Sequence, residues 1–238
     1  MSGIIESDAP IFNRLLACLP AKEYARLLPN LERVALTYGE NIYQRGELIR
    51  CVYFINSGII TLLTDSGRRS TIEGGMIGRE GMVGLPVFLG VEASLNRAIV
   101  HAAGFAVKMN AALFLTECRH EGALPRLLRR FTHSLLAQVS QSAACHRFHP
   151  VEARLARQLL MTADRLAKNE FQITQEFLST LLGVRREAVN KSAIVLQRRG
   201  LIDYNRGKLL IIDRTGLEKA ACVCYEIIKD EEKSFAVK

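Results

Sequence analysis

A chain of 238 residues with 49% hydrophobic and 24% charged side chains can fill one large core or two modest ones, which excludes a largely disordered protein. Its net charge of +8 is unevenly placed: residues 1–118 carry 11 basic and 11 acidic side chains, residues 119–149 carry 5 and 1, and residues 150–238 carry 16 and 12. A neutral half joined to a basic half implies a polyanionic partner for one domain only.

At the start of the chain no charged leader precedes an apolar run, so no secretory signal is expected. Ile11–Leu16 and Glu23–Leu28 have helical spacing on either side of Pro20. Eleven of the 17 glycines then fall between Gly39 and Gly104, interleaved with short β-rich runs at 52–55, 59–63 and 98–101. Asn56-Ser57-Gly58 and Asp65-Ser66-Gly67 are turn signals between them. Short strands punctuated by glycine predict an antiparallel barrel or sandwich.

After Gly122 the character changes. Leu124, Leu128, Phe131, Leu135, Gln138, Ser142 and Cys145 recur in steps of three and four, the seam of a long helix. Such a seam can pair with its twin in a second copy or pack on the chain's own barrel, and the spacing allows both. Phe148-His149-Pro150 ends the helix, because proline disfavours helix in the residue before it. Val151–Leu166 is amphipathic, with Leu155, Leu159 and Leu160 expected inward and Arg154, Arg157 and Arg165 outward.

The stretch from Ile173 to Asp213 carries the most chemistry. Thr174 is a good N-cap for a helix over Gln175–Leu182, and Gly183 ends it. Arg185–Arg199 forms a second helix with Val189, Ala193, Val195 and Leu196 available for burial, closed by Gly200. Two short helices about a glycine turn make a helix-turn-helix unit. The second helix begins with Arg185, Arg186, Glu187, Asn190 and Lys191, where a recognition helix meets base edges in the major groove. Arginine can pair with guanine O6 and N7, and glutamate can accept from cytosine N4. After Gly200, Leu201–Tyr204 and Lys208–Ile212 flank Asn205-Arg206-Gly207, a basic hairpin with the shape of a wing. Arg206 and Lys208 would approach phosphates and give affinity rather than sequence preference.

With these motifs in place, the sequence resembles the family of the cyclic-AMP receptor protein and the oxygen regulator Fnr over almost its whole length. The sharpest stretch is Thr174 to Lys191, which looks like that family's helix-turn-helix. The resemblance implies an α+β chain: an N-terminal antiparallel β-roll (a cyclic-nucleotide-binding-like jelly roll) over 1–118, a dimerisation helix over 119–148 and a C-terminal winged helix-turn-helix over 149–238. It implies that Arg186, Glu187 and Lys191 read bases, with Thr174, Gln175, Arg185, Asn190, Arg206 and Lys208 at phosphates or flanking positions. Gln175 stands where the receptor protein has a basic residue. The implied partners are double-stranded DNA and a second copy of the chain, and activation in this family uses surface contacts with RNA polymerase.

The sensor half departs from the family pattern. Gly84, Leu85, Arg97 and Ala98 are the effector-pocket candidates, and Leu85 stands where the family places a ribose-binding glutamate. Leucine cannot accept hydroxyl hydrogen bonds, so cyclic-AMP control is not expected and the effector is left unidentified. An iron–sulfur centre would need clustered N-terminal cysteines, and only Cys18 lies there. His101 is a conceivable haem ligand. Cys222 and Cys224 look like a metal pair, but Leu217–Ile228 reads as a helix, on which residues two apart point about 200° apart. No metal site or cofactor is therefore expected, and the six cysteines suit reduced thiols in the cytoplasm.

No nucleophile elbow, phosphate loop, dinucleotide fingerprint or histidine–glutamate zinc motif occurs, so an enzyme is not expected. No apolar run is long enough for a bilayer. The rival reading is a winged helix that docks protein, and salt discriminates between the two: DNA affinity falls steeply with salt through counterion release.

Overall fold

The computed structural model describes residues 12–65 and 71–236, and their side chains as far as Lys233. Ile11 and the Ser66-Gly67 turn lie outside these residues. The described chain forms two compact units, one of residues 12–62 and 76–135, the other of 63–65, 71–75 and 136–236.

The first unit begins with α1 (Arg14–Ala17), α2 (Ala21–Leu27) and a 3-10 turn at Leu28–Asn30. Then come β1 (Glu32–Leu36), β2 (Asn41–Tyr43), β3 (Cys51–Asp65), β4 (Thr71–Ile77) and β5 (Met82–Val83). The short α3 (Leu85–Phe88), β6 (Arg97–Asn110) and α4 (Ala111–Arg119) lead into the long α5 (Ala123–Phe148). The strands make an antiparallel-paired sheet in the order β1-β6-β3-β4, with β2 on β6 and β5 on β3. Val52, Phe54, Ile55, Ile59 and Ile60 of β3 are fully buried on both faces, which is why this strand reads as a nearly continuous apolar run. At Gly104 a Cβ would sit 2.2 Å from the Ser57 carbonyl oxygen, so only glycine lets the chain pass there. Asn13 caps α1, and its Nδ2 donates to the Ile55 and Gly81 carbonyls at 2.8 Å each. The Glu23 carboxylate accepts from the Ala123 and Leu124 N–H groups at the start of α5.

The second unit is built on α6 (Val151–Leu166). After it come β7 (Glu170–Gln172), α7 (Gln175–Leu182), α8 (Arg186–Arg198), β8 (Ile202–Asn205), β9 (Lys208–Ile211), α9 (Arg214–Ala220) and α10 (Cys224–Ala236). The small sheet runs β7-β9-β8. β7 carries no clear sequence signal, being three residues long.

One expectation from the helical spacing is corrected here. Arg154, Arg157 and Arg165 do not face solvent: Arg157 is 1% exposed and the other two are buried as well. Every residue from Arg154 to Ala163 is buried, because α6 is covered on all sides. The arginines are tolerated because partners are built around them. Arg157 Nη1 donates to Ser142 Oγ at 3.0 Å, Arg154 Nη2 donates to the Leu182 carbonyl, and Arg165 Nη2 pairs with Glu232. Glu73, buried from the β4 side, accepts from Gln158 Nε2 at 2.7 Å. The helical seam on α5, for which the spacing allowed either cover, is buried within the single chain. Leu124, Leu128, Phe131, Gln138, Ser142 and Cys145 are all buried, Phe131 over Gly81 and Ser142 against Arg157. The face of α5 that is open instead carries Leu136, at 63% exposed, with Val139 and Ala143.

Thr174 Oγ1 accepts from Phe177 N at 3.1 Å and so caps α7. Thr174→Ala should lower the stability of the DNA-free protein by about 1 kcal/mol, read as a fall in Tm. Burial holds the Glu73 carboxyl above its ordinary value, opposed by Arg157, the Gln158 amide and Arg165. A carboxyl raised in the folded chain adds stability at acid pH that is lost as pH rises through its folded value. Glu73→Gln should therefore change Tm little at acid pH and raise it at pH 8. A loss of similar size at both pH values would instead make Glu73 a required counter-charge for Arg157.

Candidate nucleic-acid interface

The helix-turn-helix is set by local sequence. α7 ends at Gly183, whose φ of 60° is the left-handed cap, and the Val184 N–H returns to the Ser179 carbonyl at 3.1 Å. A Cβ at Gly183 would press on Ile72 Cδ1 at 3.0 Å, so this turn is both conformationally and sterically a glycine position. Arg154 bonds the Leu182 carbonyl just before it, which fixes the end of α7 to α6.

α8 follows with Arg185 as its N-cap. Val189, Ser192, Ala193 and Leu196 are buried, so one face is anchored; Val195, which the spacing also made available for burial, is 39% exposed. The opposite face is open: Arg185, Arg186, Glu187, Asn190 and Lys191 are all exposed, grouped in the first two turns. Thr174 is exposed at the start of α7, beside half-buried Gln175, whose Nε2 donates to Asn190 Oδ1 at 3.1 Å. That bond ties the start of the first helix to the face of the second and brings Gln175 and Asn190 into one surface.

The wing turn places Arg206 at φ 47° and Gly207 at φ 83°, a type I′ hairpin in which a non-glycine residue occupies the left-handed region. Its side chain is exposed. Lys208 is exposed too, but its Nζ lies 2.8 Å from Glu170 Oε1. The hydrogen bond to Glu170 holds the Lys208 ammonium above its ordinary value, so this charge is already engaged. Tyr204 Oη donates to the Ile173 carbonyl at 2.7 Å and fastens the wing to the segment before α7.

The four effector-pocket candidates all lie in the first unit. Gly84 is the left-handed N-cap of α3, Leu85 is buried, and Ala98 is buried on β6 opposite Tyr43. Tyr43 is the residue that sequence reasoning missed here. Its buried hydroxyl bonds Ser94 and the Gly84 backbone, and burial pushes its pKa up to about 12. Arg97 is half-buried, and its Nε has no hydrogen-bond partner among the described residues. His101 is buried on β6, with Nδ1 3.2 Å from Thr61 Oγ1.

The helical reading of the C-terminal cysteines is overturned. Leu217–Ile228 is not one helix: α9 ends at Ala220, Ala221 is extended with ψ 157°, and α10 starts at Cys224. Cys222 sits in the break, so the 200° argument does not apply. Cys145, His149, Cys222 and Cys224 come together, with one ligand atom from each lying within 4.8 Å of the others.

Among the described residues no helix is long and apolar enough to cross a membrane. Residues 153–220 match the family model of the Crp-like helix-turn-helix domain. Over 208 residues the chain is 27% identical to the CRP-like cAMP-activated global transcriptional regulator of Mycobacterium tuberculosis, covering 83% of this chain and 91% of that protein. It is 28% identical over 194 residues to the transcriptional regulator LdrP of Thermus thermophilus, covering 76% and 93%. The fold matches that of FixK2 from Bradyrhizobium japonicum with a TM-score of 0.70 at 16% identity, over 81% of this chain and 98% of that one. With its antiparallel sheet, long helix and C-terminal helix-turn-helix, this chain has the fold of the Crp/Fnr transcription regulators, and its residues 153–220 form a Crp-like helix-turn-helix domain.

Proposed function

We propose that the protein binds palindromic double-stranded operators in the cytoplasm as a homodimer, without catalytic activity of its own. The observation that carries this reading is the exposed start of α8, where Arg185, Arg186, Asn190 and Lys191 surround the single acid Glu187. A carboxylate pointed at DNA is repelled by phosphates, so its place among cations fits base reading from cytosine N4. Arg186, Glu187 and Lys191 are the base readers in this proposal. Thr174, Gln175, Arg185, Asn190 and Arg206 flank them, and Lys208 contributes only where phosphate displaces Glu170. A dimer presents two such helices, and specific binding needs them about one DNA turn apart, roughly 34–36 Å. The open α5 face with Leu136, Val139 and Ala143 supports pairing with a second copy.

Control by an effector in the β-roll also belongs to the proposal. Cyclic AMP, which the name of the Mycobacterium relative gives as its activator, is not the effector proposed here. Buried Leu85 offers no acceptor, and the Tyr43 hydroxyl already takes the Gly84 backbone. The effector would shift the population between two arrangements of the DNA-binding units. β3, β4 and α5 each run from one unit into the other and are the covalent routes for it. Contact with RNA polymerase would follow for an activator.

Selection from a random duplex pool should enrich a palindrome. Arg186→Ala and Glu187→Ala should change the preferred bases by about 1–3 kcal/mol per position. Arg206→Ala should weaken all sequences evenly and reduce the salt dependence by about one phosphate contact. Equal losses on selected and random DNA for all three variants would sink the recognition-helix assignment. Leu136→Glu, which adds charge to the open α5 face, should shift the protein toward monomer in sedimentation; an unchanged dimer would move the interface elsewhere.

A further inference from the structure

The second unit also holds a side-chain cluster that the regulator reading does not use. Cys145 and His149 are four residues apart at the end of α5, one turn apart on a single helix face, and the His149 N–H still bonds the Cys145 carbonyl. Cys222 and Cys224 come from the α9–α10 break, where the extended Ala221 turns both thiols to the same side. Cys145 Sγ is 3.3 Å from Cys222 Sγ, and Cys224 Sγ is 3.4 Å from His149 Nδ1. The three sulfurs are buried and Ala153 packs against them.

We propose that Cys145, His149, Cys222 and Cys224 bind one zinc-class divalent ion in a closed tetrahedral site. A zinc–sulfur bond of about 2.3 Å places tetrahedral ligand atoms roughly 3.5–3.8 Å apart, which the observed separations bracket within a few tenths of an ångström to an ångström. Four atoms within 4.8 Å leave room for one ion. Three thiolates and an imidazole form a complete set of soft and borderline donors, and with four protein ligands no position stays open for water or substrate. The role is therefore structural: the ion joins the end of α5 to the start of α10.

The surroundings match such a centre. Gln141 Nε2 donates to Cys224 Sγ at 3.1 Å and the Cys224 backbone N–H to Cys222 Sγ, the outer-shell donors that orient and stabilise bound thiolates. Zinc with three thiolates and a neutral imidazole carries a net charge of −1. Two buried guanidiniums, Arg154 and Arg157, act electrostatically on Cys145 and Cys222. The Nε atoms of both arginines lack hydrogen-bond partners among the described residues. Among the described residues, the groups that favour the Arg154 charge are the Cys145 and Cys222 sulfurs. A negative metal–thiolate centre would supply a counter-charge beside Arg154 and add to that of Glu73 near Arg157.

Next to Cys224, Tyr225 donates to Asp164 Oδ2 at 2.8 Å and accepts from Arg214 and Lys229, both at 2.9 Å. α10 is thus fixed to α6 independently of the cysteines, and the chain delivers Cys224 to the cluster already in position.

The test is metal analysis of the full-length protein purified under reducing conditions, followed by cobalt exchange. About one zinc per protomer is expected. The cobalt form should show the intense visible bands of a tetrahedral thiolate site. Cys224→Ser and His149→Ala should each lower zinc content or metal affinity at least tenfold. Cys118→Ser, which alters a thiol outside the cluster, should leave both unchanged. Chelation should lower the Tm of the wild-type protein, and zinc should restore it. The wild-type cobalt spectrum decides the matter even if a variant fails to fold. Folded, reduced wild-type protein without stoichiometric metal and without a cobalt–thiolate band overturns the proposal. So does recovery of a Cys145–Cys222 disulfide in place of bound metal, or full metal content in Cys224→Ser.

Discussion

The DNA-binding unit depends on one constraint: α6 is surrounded, and it carries three arginines into that enclosure. A buried cation without a partner costs several kcal/mol, far more than a surface ion pair returns. Each neighbouring element therefore reaches α6 through a polar group as well as through apolar packing. α5 offers Ser142, the end of α7 offers the Leu182 carbonyl, α10 offers Glu232, and the β4 side offers Glu73 to the neighbouring Gln158. Leu155, Leu159 and Leu160 hold the helix in the core. The arginines decide which elements can lie against it and in what register, because moving any of them strands a charge. Apolar packing alone would tolerate small slides that this network does not.

The exposed face of α8 inherits that order. α8 is gripped by its buried face through Val189, Ala193 and Leu196, and Arg199 pairs with Glu152 at the start of α6 at 2.8 Å. The turn before it is held by Arg154 on one side and by Ile72 against Gly183 on the other. Exposed arginines and a lysine can then sit on a rigid helix without spending their own charges on folding. The division of labour is clear in the basic residues: buried Arg154, Arg157 and Arg165 have internal partners, whereas Arg185, Arg186 and Lys191 face outward. Lys208 is the exception, since Glu170 holds it on the surface of the small sheet.

The features legible in the sequence are those determined locally. Thr174 and Gly183 bracket α7 because an N-cap hydroxyl and a left-handed residue are short-range requirements. The wing could be read from Asn205-Arg206-Gly207 for the same reason. The glycine-rich half showed its antiparallel class through its apolar β-rich runs, but Asn56-Ser57-Gly58, read as a turn between two short strands, lies inside the continuous β3. Features that depend on distant covers were hidden. Arg154, Arg157 and Arg165 have the spacing of a solvated face, and only the positions of Ser142, Leu182 and Glu232 bury them. The seam on α5 was visible, but whether a twin or the chain itself covers it is a tertiary fact. The pocket candidates were found by resemblance, and Tyr43, which closes on Gly84, had no sequence signal because a lone tyrosine in a strand is ordinary.

The break between α9 and α10 shows how one local reading can conceal a site. Leu217–Ile228 lacks glycine and proline, so nothing in it demands a stop. Cysteine and valine are nevertheless weak helix formers, and Ala221-Cys222-Val223-Cys224 gives up few intrahelical bonds by leaving the helix for one extended residue. What it gains is long-range: Arg214 and Tyr225, on either side of the break, both reach Asp164 on α6. Two anchors on one carboxylate bring the ends of α9 and α10 together and force the chain between them to turn. The same turn faces Cys222 and Cys224 toward Cys145 and His149. The side-chain geometry around Asp164 thus determines the backbone path, and the backbone path determines which thiols can meet.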